Sequence, residues 1–209
     1  MGWGQGKDIR NRLTAVNEHG TDVITLRHIA RKMSISHSNI QYYFKNADDI
    51  IATIYSNHLK ELNKEVSFPD DHQYSLFDML RSVEIIFAHI YQYRFIYTDP
   101  ISFARRIPQV RNNHNERYRF RSKQLVNISD HLREKVIFRK DIPTPVWESL
   151  IKQIYTIGDF WISANEFINE HKGETVIRAF TNLVQNMLYP YLTAKGVTTE
   201  ITFSYHNIK

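Results

Sequence analysis

The sequence contains no cysteine among its 209 residues. The chain therefore has no disulfide framework, no thiolate zinc site and no cysteine nucleophile. Glycine and proline are also scarce, at 7 and 6 residues. This leaves little material for the many tight turns of an all-β protein, and it favours a helical fold.

Long apolar runs are missing as well. The two longest apolar clusters, 83–90 and 154–162, are interrupted by polar residues, whereas a membrane-spanning helix needs about 20 mostly apolar residues. The first residues also lack the basic and apolar regions of a signal peptide. We therefore expect a cytoplasmic protein without a membrane partner.

The net charge of +5 is concentrated in one region of the chain. Residues 94–140 contain 12 Lys or Arg against 4 Asp or Glu, a local balance of +8. A modest basic excess is compatible with nucleic-acid binding but does not demonstrate it. We expect these cations to form mostly a solvated face; the alternatives are an anionic effector held by one or two of them, or added attraction to DNA. The cations are Arg94, Arg105, Arg106, Arg111, Arg117, Arg119, Arg121 and Lys123.

Apolar spacing over the first 60 residues predicts four short helices. The first runs from about Asp8 to Glu18, and Gly20 stops it, as glycine just beyond a helix often does. Side chains that cap helix N-termini mark the starts of the other three. These caps are Thr25, then Ser36 or Ser38, then Asn46.

Longer amphipathic stretches after residue 75 predict a larger helical domain, with a surface turn at Asn112–Asn115. The last two predicted helices are apolar on more than one face and must be covered on more than one side. They predict self-association through a four-helix interface, the alternative being internal helices of a monomer. The tail after Gly196 is either a short strand or a frayed end. The predicted interface residues are Trp147, Ile151, Ile154, Phe180, Val184 and Met187.

The segment from Thr25 to Phe44 has the pattern of helix, tight turn and helix. Such a unit binds DNA when its second helix presents polar side chains outward. Amide side chains suit adenine edges, and Ser or His reach bases or phosphates. On spacing alone, a helical hairpin with a solvated polar face is an equal alternative. The outward face carries His37, Ser38, Asn39, Gln41 and Tyr42.

A family pattern runs through residues 8–58. Its positions are Gly20, Thr25, Ile29-Ala30, Ile35-Ser36, the run from Ile40 to Asn46, and Asp48-Asp49-Ile50. This pattern resembles the N-terminal domain of TetR-family transcriptional regulators. The chain departs from the family at Ser34, where most relatives have Gly, and at Ala47, where a Lys usually opens the next helix. The second departure removes one phosphate contact.

The resemblance implies an all-α fold in two parts. Residues 1–46 form a three-helix bundle with the helix-turn-helix, and residues 47–209 form a larger helical effector-binding and dimerisation domain. The expected function is that of a homodimer that represses a pseudo-palindromic operator in double-stranded DNA until a small-molecule effector releases it. By position, Arg27, Tyr43 and Lys45 join the outward face in contacting DNA. The capping residues Thr25 and Ser36 complete the predicted DNA-binding set.

Aromatic residues of the C-terminal part are predicted to line the effector pocket, since such pockets are mostly apolar. Core packing is the alternative for each of them. With the neighbouring arginines they lead to the hypothesis of an anionic, amphipathic effector. The predicted effector-binding residues are Phe87, Tyr91, Tyr97, Phe103, Arg105 and Trp161.

The ten histidines do not form a recognisable catalytic or metal motif. The sequence has no HExxH, GxSxG, GxGxxG or P-loop. We therefore expect no catalytic residues, no metal and no cofactor. The alternatives to a repressor are an activator, or a helical dimer on the same scaffold that acts through a protein partner.

Overall fold

The computed structural model describes residues 27, 30, 31, 36–67, 73–168 and 172–198. The regular structure in these ranges is helical, apart from one isolated antiparallel bridge between Phe138 and Leu192. The predicted all-α class is confirmed for this part of the chain. The first predicted helix, the Thr25 cap and the tail beyond residue 198 lie outside the described residues.

The helices follow one another with short connections. In chain order they are α1 His37–Tyr43, α2 Ala47–Glu65, α3 Leu76–Gln92, α4 Arg94–Tyr97, α5 Pro100–Arg106, α6 Pro108–Glu134, α7 Thr144–Ile168, α8 Glu174–Leu188, a 3-10 turn Tyr189–Tyr191, and α9 Ala194–Gly196.

Two predicted helix caps are confirmed. The Ser36 hydroxyl accepts a hydrogen bond from the backbone N–H of Asn39 at 3.2 Å, at the start of α1. The Asn46 side chain accepts one from the N–H of Asp49 at 2.9 Å, and Asp49 in turn accepts one from the N–H of Lys45 at 3.0 Å. These hydrogen bonds satisfy backbone N–H groups that have no partner within the helix.

Helix α2 connects the N-terminal segment to the larger helical part. Its buried face includes Ile51, Tyr55, Leu59 and Leu62, and it packs against both α3 and α6. Three residues separate α2 from α1, which ends at Tyr43.

Two apolar clusters form the core among the described residues. One surrounds Phe87 and Trp161, whose ring centroids are 5.4 Å apart, and joins α2, α3, α7 and α8. The other, at the far end of the helices, is built around Leu132, Phe138 and Trp147. Both α3 and α7 contribute buried apolar side chains to each cluster, so these two helices connect the clusters.

The predicted turn at Asn112–Asn115 is wrong, because α6 continues through it from Pro108 to Glu134. A hydrogen bond of 2.7 Å from Gln109 Nε2 to Asn113 Oδ1 joins consecutive turns of the helix there. Asparagine is a weak helix former, and this local support together with packing against α2 and α7 overrides that tendency.

Candidate DNA-binding surface and effector cavity

Helix α1 has one buried side chain and a polar outer face. Ile40 is fully buried. Asn39 and Gln41 are exposed on either side of it, and Tyr42 is 83% exposed. The side chains that the sequence assigns to the outward face are therefore available to an external partner.

The remaining α1 residues are positioned by local contacts. The Ser38 hydroxyl lies 3.0 Å from the Ser36 hydroxyl, and His37 is half-buried. The rings of Tyr42 and Tyr43 meet edge to face, with centroids 5.0 Å apart. This contact limits the freedom of two large aromatic groups on the surface.

Two predicted DNA-contacting cations, one before α1 in the chain and one after it, are exposed. Arg27 is helical and exposed, and Lys45 is exposed just after α1. The structure thus brings the residues from Ser36 to Lys45 together on one short segment, while Thr25 lies outside the described residues. Their contacts with DNA stay predictions.

A cavity of about 90 Å³ lies between α2, α3, α6 and α7. Its wall is mainly apolar, with a few polar side chains contributed by α3, α6 and α7. The apolar residues include Leu62, Val83, Phe87, Ile90, Leu125 and Ile128, and the polar ones are Ser82, Arg117, Arg121, Gln124, Tyr155 and Asp159.

Arg117 and Asp159 form a largely buried ion pair on this wall. Arg117 Nη2 donates to Asp159 Oδ1 at 2.9 Å, and His114 Nε2 lies 3.3 Å from the other carboxylate oxygen. Burial acts to lower the pKa of Arg117, but Tyr97, Tyr55 and Asp159 outweigh it and raise that pKa above its ordinary value. Arg117 is therefore a permanent cation that is already paired.

Arg121, one helical turn further along α6, is also buried. Its guanidinium donates to the Val66 carbonyl, the Gln124 side chain and the Asn63 side chain. The expectation that the arginine run forms a solvated face is wrong for Arg117 and Arg121. Both lie on the helical stripe that continues through Leu125 and Ile128, and this spacing is the signal in the sequence that identifies them.

The predicted effector-binding residues do not converge on this cavity. Phe87 lines it, and its ring contacts that of Trp161. The Trp161 ring stacks in turn on that of Tyr91, with 6.1 Å between these two ring centroids. Tyr97 lines a second cavity of about 80 Å³. Phe103 is buried in the core, whereas Arg105 is exposed on the surface. For Phe103 and Trp161 the structure shows the core packing that was the alternative.

Helix α2 also carries a buried histidine, His58. His58 Nε2 is 3.0 Å from the Tyr97 hydroxyl, and the His58 ring lies 4.3 Å from that of Tyr93. His58 Nδ1 has no hydrogen-bond partner among the described residues. Burial, with smaller contributions from His89 and Arg117, holds the pKa of His58 well below its usual value. The imidazole is therefore neutral at physiological pH.

The predicted dimer-interface residues fall into different environments. Trp147, Ile151 and Val184 are buried within the single chain, and Ile154 lines the cavity. Phe180 and Met187 are half-buried. Other apolar side chains of α7 and α8 are exposed, and several line an open groove between the two helices. The exposed ones are Phe160, Phe167, Ile168 and Leu183.

Within the described ranges, no cluster of three or more His, Asp or Glu side chains is arranged to hold a metal ion. None of the helices in these ranges is both long enough and apolar enough to cross a membrane.

Comparisons with known proteins identify the family. The sequence model of the TetR family, described as a bacterial transcriptional repressor, matches residues 57–199. This match covers the larger helical part, whereas the resemblance noted in the sequence comes from residues 8–58. The chain belongs to the TetR family of DNA-binding transcriptional regulators. Membership identifies a transcriptional regulator.

Solved structures share the fold over nearly the whole chain. A TetR-family transcriptional regulator from Marinobacter aquaeolei VT8 is 22% identical, with a TM-score of 0.83 over 96% of this chain and 97% of that one. A TetR transcription regulator from Haloarcula marismortui is 14% identical, with a TM-score of 0.64 over 90% and 97%. The fatty acid degradation regulator FadR from Bacillus halodurans is 14% identical, with a TM-score of 0.58 over 88% and 96%. No curated protein matches the sequence.

Proposed function

We propose that the protein is a homodimeric repressor that acts in the cytoplasm on a pseudo-palindromic operator. The observation that carries this proposal is α1, which buries Ile40 and turns Asn39, Gln41 and Tyr42 outward. Amide side chains on an exposed short helix match the major-groove edge of adenine. Residues 1–46 act as the DNA-binding domain, and residues 47–209 as the effector-binding and dimerisation domain.

The exposed apolar faces of α7 and α8 support the homodimer. The groove between them is lined by Phe160, Ile168, Phe180 and Leu183. Contiguous exposed apolar surface is unfavourable in water and marks interaction sites. A two-fold axis through this groove places the same surface of each protomer against its copy and forms a four-helix interface.

The cavity supports release by a small molecule. It is bounded by α2, the helix that follows α1 in the chain after three residues. An effector that fits one position of α2 better than another shifts the population of dimers by its differential affinity. If the favoured position spaces the two α1 helices wrongly for the operator, effector and DNA exclude each other.

The test is selection of random double-stranded DNA by the purified protein at two salt concentrations. Enrichment of a two-fold symmetric sequence, weakened by salt, supports a dimeric operator-binding protein, because phosphate contacts make affinity fall with salt. No enrichment, both before and after denaturation and refolding to remove any bound effector, contradicts the proposal and leaves the protein-partner alternative. Transcription from a promoter that carries the selected sequence separates repression from activation.

A further inference from the structure

Arg121 is a buried cation whose described hydrogen-bond partners are all neutral. It is 8% exposed. Its Nη1 donates to the Val66 carbonyl at 3.3 Å and to Gln124 Oε1 at 2.6 Å, and its Nη2 donates to Asn63 Oδ1 at 2.8 Å. No Asp or Glu in the described ranges forms an ion pair with it. Burial lowers the pKa of Arg121, as expected for a cation without a counter-charge.

The cavity therefore carries one positive charge in excess. Its other cation, Arg117, is balanced by Asp159, and the rest of the wall is mainly apolar. A buried charge is costly unless an opposite charge accompanies it. The matching occupant has an apolar body and one anionic group, and a guanidinium binds a carboxylate with two parallel N–H groups.

Two of the present partners of Arg121 belong to the C-terminal end of α2. Asn63 lies in the last turn, and Val66 is the residue that caps it. A cation at a helix C-terminus satisfies free carbonyl groups and interacts favourably with the helix dipole. An anion bound to the same guanidinium competes with these contacts.

We propose that the cavity binds a small apolar carboxylate, whose anionic group takes Arg121 away from the C-terminal end of α2. This inference rests on the proposed function only in taking the cavity as the effector site. Carboxylate binding and release of the end of α2 are then two sides of one equilibrium. The Arg121 guanidinium thereby couples ligand binding in the cavity to α2, the helix that follows α1.

The size of the cavity agrees with such a competition. An engineered apolar cavity of about 150 Å³ accommodates benzene, whereas this one measures about 90 Å³. A carboxylate of more than a few carbons therefore fits fully after the walls separate. Arg121 of α6 and the end of α2 both line the cavity, so separating the walls breaks the contacts between them. A larger ligand therefore favours the state in which Arg121 has left α2.

The test is calorimetric titration of the full-length protein, without DNA, with butanoate, hexanoate and octanoate. The corresponding straight-chain alcohols and amines supply matched apolar tails. The carboxylate is expected to bind at least about tenfold more tightly than the alcohol of equal length, since a hydrogen bond to a charged group is worth more than a neutral one. Equal affinities, or no binding of any carboxylate, would overturn the proposal.

Variants of two residues on α6 locate the anion. Arg121→Gln is expected to abolish the preference for carboxylates. Arg119→Gln makes the same charge change at an exposed position two residues earlier and is expected to keep it. A folded Arg121→Gln protein that still prefers carboxylates would overturn the assignment.

A variant on α2 tests the competition even if Arg121→Gln does not fold. Asn63→Ala removes one α2 acceptor of Arg121, so carboxylate affinity is expected to rise about three- to tenfold while alcohol affinity is unchanged. Asn127→Ala, an exposed change on α6, is the control. Unchanged carboxylate affinity in Asn63→Ala would show that the carboxylate and α2 do not compete for Arg121, and would overturn this part of the proposal. Because these titrations contain no DNA, their failure is distinguishable from failure of operator recognition.

Discussion

Arg106, the last residue of α5, forms an ion pair with Asp48 in the first turn of α2, with 3.0 Å between Nε and Oδ1. Arg121 of α6 holds the other end of the same helix. Two arginines from the larger helical part therefore contact α2 near its two termini. The ion pair of Arg106 with Asp48 is exposed and lies at the end nearer α1, and the hydrogen bonds of Arg121 are buried and lie at the cavity.

The exposed ion pair of Arg106 with Asp48 is expected to contribute little stability. Asp48 and Arg106 are both partly exposed, so solvent screens their attraction. In a double-mutant cycle with Asp48→Asn and Arg106→Gln, measured by urea unfolding, we expect a coupling of about 0.2–1 kcal/mol. A coupling above about 2 kcal/mol would mean that this pair is a structural anchor.

The buried ion pair is expected to behave differently. Arg117→Met leaves Asp159 buried without its main counter-charge, and breaking such a pair costs about 3–5 kcal/mol. Arg119→Met, on the exposed face of the same helix, is the control and should cost under about 1 kcal/mol. Urea unfolding at one fixed protein concentration measures both. Similar losses for the two variants would contradict the buried pairing with Asp159.

Acid is expected to destabilise the protein through His58. Its pKa in the folded protein is lowered by burial, so the folded state stays neutral while the unfolded chain takes up a proton below about pH 6.5. The stability contributed by neutral His58 is present above that pH and is lost as the pH falls, by about 1.4 kcal/mol per pH unit. Unfolding measured from pH 7 to 5 should show a shallower loss for His58→Gln.

The unaltered protein is the reference for His58→Gln, because the two chains differ in this one titratable side chain. Identical pH profiles for the two proteins would show that His58 is protonated equally in the folded and unfolded states.

What the sequence predicts well is what depends on near neighbours. The caps at Ser36 and Asn46 involve residues three positions away. Arg117 and Arg121 were assigned to a solvated face, because their partners lie 42 and 58 residues away along the chain. Burial of a charged side chain depends on such distant groups, and composition does not encode them.

The self-association surface is expected to be sensitive to charge. Leu183 is 43% exposed on α8 and lines the apolar groove, so Leu183→Glu would bury a carboxylate in the proposed interface. We expect a monomer by light scattering after size exclusion, with the helical content retained. Val126→Glu, an exposed change on α6, should remain a dimer. A dimeric Leu183→Glu protein would place the interface elsewhere.

The most direct measurement of the central claim, that α1 reads the operator, compares two variants on two duplexes. Anisotropy titrations use the selected operator and a scrambled duplex. Gln41→Ala is expected to lose about 1–3 kcal/mol on the operator and little on the scrambled duplex. Lys45→Ala is expected to weaken both and to reduce the salt slope by about one. If Gln41→Ala binds the operator as tightly as the unaltered protein, or loses equally on both duplexes, α1 does not read the sequence through Gln41.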